Sequence, residues 1–177
     1  MTAGSAEPLR IALVHHASAA AVAELADSLR AAGHRAEILT PGPGGLRSLP
    51  LGEKALRFRG FADPLTHVPA AVAALRRGAF DVAHAFSPQD TMAALAWRRL
   101  GGGPVVFSTA EPVARESMAD ARLSFWMLQR SLSDSDAVAA LTEESRAAMW
   151  RWLAIEVPLI EPGDASGWER LYRQARA

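Results

Sequence analysis

The residues able to do chemistry stand just after short apolar runs in this sequence. His15-His16 follow R-I-A-L-V, His84 to Ser87 end F-D-V-A-H-A-F-S, and Ser108-Thr109 end P-V-V-F-S-T, with Glu111 and Arg115 close behind. Imidazoles suit proton transfer or metal ligation, hydroxyls orient a substrate, a carboxylate takes a proton, and a guanidinium grips phosphate or carboxylate at two points. Each group also has a plainer reading. Adjacent strand residues point to opposite faces, so His15 and His16 read either as a metal or acid–base pair or as one packed and one wetted histidine. His84 reads either as a site residue or as a buried, hydrogen-bonded structural one. Ser18 near a histidine invites a hydrolase reading, but no G-x-S-x-G elbow accompanies it.

The elements that must position these groups alternate regularly. Apolar runs predict strands at Arg10 to Val14, Ala36 to Thr40, Phe80 to Phe86, Pro104 to Ser108, Ala137 to Leu141 and Val157 to Ile160, with a short edge strand at Leu56 to Arg59. Between them lie helical patterns. Val22, Leu25, Leu29 and Ala32 share a face and stop at Gly33; Asp63-Pro64 opens a helix ending at Gly78; Ser87-Pro88-Gln89-Asp90 opens another that stops at Gly101-Gly102-Gly103. A long helix is predicted over Ala114 to Leu132, one opens at Thr142-Glu143-Glu144, and a short one follows Pro162-Gly163-Asp164. Such alternation predicts an α/β fold with a doubly wound, Rossmann-like parallel sheet, whose ligands bind beyond the carboxyl ends of the strands.

Missing motifs narrow the chemistry. A dinucleotide site needs glycines after the first strand so that backbone amides reach pyrophosphate, and the chain instead reads His15-His16-Ala17-Ser18-Ala19-Ala20. No P-loop sequence is present either. With 177 residues, 50% hydrophobic and 21% charged, the chain suits one α/β domain with a sizeable core. Nineteen basic residues balance nineteen acidic ones, which argues against nucleic acid as a partner. Zero cysteines exclude disulfides and thiolate metal sites, and no metal site is expected. The first ten residues lack a signal-peptide core and no run spans a bilayer, so a cytoplasmic protein is expected. A single lysine, Lys54, among many Arg and Ala suggests a GC-rich bacterial origin.

Four stretches carry a resemblance. F-D-V-A-H-A-F-S-P-Q-D-T-M-A-A-L-A from Phe80, G-G-P-V-V-F-S-T, S-D-A-V-A-A-L-T-E-E-S-R from Ser135 and V-P-L-I-E-P-G-D from Val157 together resemble the N-terminal domain of family-4, GT-B glycosyltransferases. The resemblance runs from R-I-A-L-V to Asp164. It implies an acceptor-binding half at 1–164, a helix at 165–177 packing on it, and a separate C-terminal half for the nucleotide-sugar donor. It departs from the family in three ways. The glycines after the first strand are replaced by Ala17 to Ala20, Ala110 and Glu111 stand where the His and Gly of the T-x-H-G after the G-x-P-V-V-F strand belong, and the donor half would start about where this sequence stops.

The resulting expectation is an acceptor-side half that does not transfer sugar unaided. His15, His16, His84, Ser87, Thr109 and Arg115 line the cleft, and Glu111 is the candidate base. No cofactor of its own is expected; a nucleotide sugar would enter only with a partner that supplies the donor half. A non-catalytic docking subunit and a truncated remnant are the rival readings. Met118, Ala121, Phe125, Leu128 and Leu132 form one stripe of the long helix, and Leu123, Trp126 and Met127 a second. The second stripe suggests either peripheral membrane contact through 115–130 or a helix buried on two sides. With Trp150, it also suggests a protein partner or self-association. Glu161 and Glu169 have the E-x7-E spacing of the family's donor half but stand in the linker and last helix, so coincidence is the expectation.

Overall fold

The structure, a computed structural model, describes residues 7–15, 19–39, 64–112 and 122–177. Five strands, β1 (Arg10–Val14), β2 (Arg35–Leu39), β3 (Val82–Ala85), β4 (Val105–Thr109) and β5 (Ala137–Ala140), form one parallel sheet in the order β2-β1-β3-β4-β5. Among the described residues six helices surround it: α1 (Ala19–Ala31), α2 (Pro64–Gly78), α3 (Pro88–Arg99), α4 (Arg122–Asp134), α5 (Glu143–Leu153) and α6 (Ala165–Arg176). This is the predicted Rossmann-like α/β sandwich.

Why the sheet is buried on both faces follows from its strands being apolar at nearly every position. Ile11, Leu13, Val82 and Val106 point to the face covered by α1 and α6, where Leu25, Leu29, Trp168 and Tyr172 meet them. Ala12, Val14, Ala83, Ala85 and Val105 point to the other face, against Leu75 of α2 and Ala94 and Trp97 of α3. Phe107 and Ala140 extend that second face to Leu128 of α4 and Met149 of α5. Among the described residues the two faces are unequally supplied, with four helices on one and two on the other. Over β3, β4 and β5 the thinner face depends on α6.

Capping side chains set the helix starts. Ser87 Oγ accepts from the Asp90 amide at 3.1 Å with Pro88 at the first helical position, and Thr142 Oγ1 accepts from the Ser145 amide at 3.1 Å. Asp164 Oδ1 accepts from the Gly167 amide at 2.9 Å, and this bond is the main reason its carboxyl is held below the usual range. Gly33 stops α1 in the left-handed region at φ 92, which a side chain would resist.

Two elements differ from the sequence expectation. Val157 to Ile160 is not a full strand: it touches β5 through one parallel bridge, Ala140 to Leu159, and Pro158 has no amide to extend the ladder. Within the long helix predicted from Ala114, the described helix begins at Arg122 and runs on to Asp134; Ala114 to Ala121 lie outside the described residues, as do the Leu56 to Arg59 strand and Asp63.

Candidate carboxyl-edge site

Backbone hydrogen bonds line up the strand ends. The His15 amide donates to Leu39 O at 3.2 Å, Phe86 to Val14 O at 3.3 Å, and Leu141 to Thr109 O at 3.2 Å. His15, Phe86-Ser87, Thr109 to Glu111 and Leu141-Thr142 therefore share the carboxyl edge of one sheet, the location at which open α/β sheets bind ligands.

The best-defined piece of this edge is the turn after β4. Thr109 is buried, and its hydroxyl both donates to Glu111 O at 3.0 Å and accepts from the Glu111 amide at 3.2 Å. Thr142 Oγ1 donates to Ala110 O at 3.3 Å, tying the turn to the start of α5. The turn is thus held from two strands while the Glu111 side chain stays exposed. Thr142 was not among the expected site residues. Its position at the end of an apolar run and the start of a helix was the available signal.

The other expected residues divide. His15 is buried, 6% exposed. Ser87 is half-buried and spends its hydroxyl on the α3 cap. His16 and Arg115 lie outside the described residues.

His84 sits elsewhere. It is 0% exposed, with Nδ1 at 2.8 Å from Tyr172 Oη and Nε2 at 2.7 Å from Ser108 Oγ. Its ring stacks on Phe86 at 4.2 Å and tilts against Trp168 at 4.7 Å. Burial alone lowers its pKa to about 3, so the ring is neutral. The structure therefore corrects the expectation of a cleft-lining His84: its side chain points to the α6 face and both ring nitrogens are occupied. The structural alternative describes it.

The spaced glutamates are also structural. Glu161 lends its carbonyl to Trp168 Nε1 at 2.9 Å, whereas Glu169 pairs with Arg173 at 2.8 Å and His34 at 3.6 Å. Hydrogen bonding from Arg173 is the leading cause that holds the Glu169 carboxyl below its ordinary range. Trp168 and Tyr172 of α6 both face the domain's own flank at 0% exposure.

Met127 departs from the expected second stripe and packs in the core, 5% exposed, while its neighbour Trp126 is 49% exposed. A turn of about 100° per residue separates them. Leu123 and Trp150 are also exposed, at 60% and 63%. Two hollows adjoin this region. One, of about 600 Å³, lies between Trp126, Leu132, Leu153 and Ile155; the other, of about 280 Å³, lies between Arg146, Trp150, Ile155 and Val157. Among the described residues no helix is long and apolar enough to cross a membrane.

A parallel five-stranded sheet with its candidate site on the carboxyl edge is the architecture of a GT-B glycosyltransferase half. Residues 18–163 match Glycosyltransferase Family 4, and the chain belongs to that family. In structure it is similar to a piece of sucrose-phosphate synthase from Thermosynechococcus elongatus, with a TM-score of 0.66 and 17% identity over 95% of this chain and 99% of that one. It is also similar to sucrose-phosphate synthase from the same organism in a longer form, with a TM-score of 0.61 and 18% identity. That match covers 86% of this chain and 48% of the other, so the present chain spans about half its length. No curated protein matches the sequence.

Proposed function

We propose that this domain is the acceptor-side half for glycosyl transfer from a nucleotide sugar to an acceptor hydroxyl, and that it does not catalyse transfer unaided. The observation that carries the reading is the braced turn after β4, which leaves one carboxylate, Glu111, exposed on the carboxyl edge of a family-4 fold. In the reaction the acceptor oxygen bonds to the anomeric carbon, the bond from that carbon to the phosphate oxygen breaks, and a nucleoside diphosphate leaves with the electron pair. Glu111 takes the acceptor's proton. His15, His16, Ser87 and Thr109 line the acceptor cleft, and Arg115 orients an anionic group. The donor is held by a second, nucleotide-binding half, because the turn after β1 carries side chains where close phosphate approach calls for glycine. Combining the chain with a donor-binding half and following nucleoside diphosphate release from UDP- and GDP-sugars tests this. Release should need both halves and fall at least about a hundredfold with Glu111→Gln; unchanged release with that variant refutes the assigned base.

A second reading, a docking subunit of a complete glycosyltransferase, is favoured by the exposed Leu123, Trp126 and Trp150 beside the two hollows. A charge in the core of such a contact is costly. Trp126→Glu should therefore weaken a complex or self-association, measured by light scattering, while shifting the unfolding midpoint by no more than an ordinary surface change. An unaltered complex would remove this surface from the account.

A further inference from the structure

His84, Ser108 and Tyr172 form a continuous hydrogen-bonded chain that crosses from β4 through β3 to α6, wholly inside the protein. A neutral imidazole has one donor and one acceptor nitrogen, so it satisfies both hydroxyl partners at once. Tyr172 supplies a phenol whose ionisation burial pushes well above its ordinary range, so it stays a hydroxyl. An imidazolium would donate at both nitrogens, leaving one of the two hydroxyl protons without its acceptor and a charge in an apolar box.

Among the described residues, no ion pair reaches His84 to offset that charge. From α6 the ring meets Tyr172 and Trp168, from β4 Ser108, and from its own segment Phe86; β1 places Leu13 beside it in register. The charged groups of α6 are engaged elsewhere: Glu169 with Arg173 and His34, Arg176 with Asp81, and Arg170 acts on Asp164. No ion pair contributes to the state of His84; burial is the whole cause. Among the described residues the lid over the ring is α6, whose Trp168 and Tyr172 pack against it.

We propose that the Ser108–His84–Tyr172 chain is an acid-sensitive latch: α6 seats only over an uncharged imidazole, and acid lifts α6 from the sheet before the rest of the domain opens. The direction follows from proton linkage. His84 with α6 lifted takes up a proton near the ordinary histidine pKa of about 6.5, whereas the latched ring does not until about 3. Stability of the latched state is therefore complete above about pH 6.5 and is lost as pH falls below it, with the open population growing about tenfold per pH unit. This holds whether or not the domain serves glycosyl transfer.

Hydrogen exchange of the protein, corrected for intrinsic rates, tests the latch at pH 7 and pH 5, both above the lowered range of the Glu169 carboxyl. Opening of the 165–177 peptide should rise roughly 25-fold, with the β1 peptide unchanged. In His84→Gln, an amide that does not titrate, the rise should vanish. Equal loss of protection in both peptides, no rise, or a rise that persists in His84→Gln would overturn the proposal. Nuclear magnetic resonance of the wild-type imidazole gives an independent reading should that variant fail to fold: a neutral ring at pH 5 supports the latch, and a charged one overturns it.

Discussion

Ser108 and Thr109 are adjacent hydroxyl residues on β4, both buried, yet they belong to different regions of the molecule. Ser108 points to the α6 face and is bonded to His84 at 2.7 Å, in a chain closed off from water. Thr109, one step on, ends the strand and folds the next residues into a turn that carries Glu111 outward. The alternation of strand side chains sends the first into the core, and the strand's end frees the second to shape an edge. Similar chemistry thus serves seating of a helix in one place and presentation of a carboxylate in the other.

Substitutions sharpen this contrast most strongly on the buried side. Trp168→Ala should lower stability by about 3–5 kcal/mol in chemical denaturation, because it removes a fully buried ring that packs from α6 against His84. Tyr172→Phe keeps the ring and deletes the phenol, leaving His84 Nδ1 unpaired, and should cost about 1–3 kcal/mol. Glu111→Gln, at the exposed turn, should change stability by less than about 0.5 kcal/mol while reducing transfer by the completed enzyme. A Glu111 variant as destabilised as Tyr172→Phe would erase the distinction between the two regions.

Much of this division was legible in the sequence, and where it was not the reasons are physical. R-I-A-L-V and P-V-V-F-S read as buried strands within the alternating pattern, while Ser87 announced its helix through capping chemistry, Thr142-Glu143-Glu144 through acids at the helix start and Asp164 through the break before it. His84 was ambiguous because a strand residue faces one of two sides, and nothing local states which side α6 will cover. Tyr172 lies 88 residues away, so the pairing is a product of topology alone. Met127 and Trp126 were grouped in one stripe, but tertiary packing turned the first inward and left the second exposed. For Val157 to Ile160 the apolar pattern was right and Pro158 limited its pairing to one bridge.

The division of labour between an acceptor half and a donor half is the central claim, and calorimetry of this chain against UDP- and GDP-sugars tests it most directly. The account predicts no binding heat below the millimolar range, because the turn after β1 lacks the glycines that let backbone amides close on phosphate. A micromolar dissociation constant would contradict it.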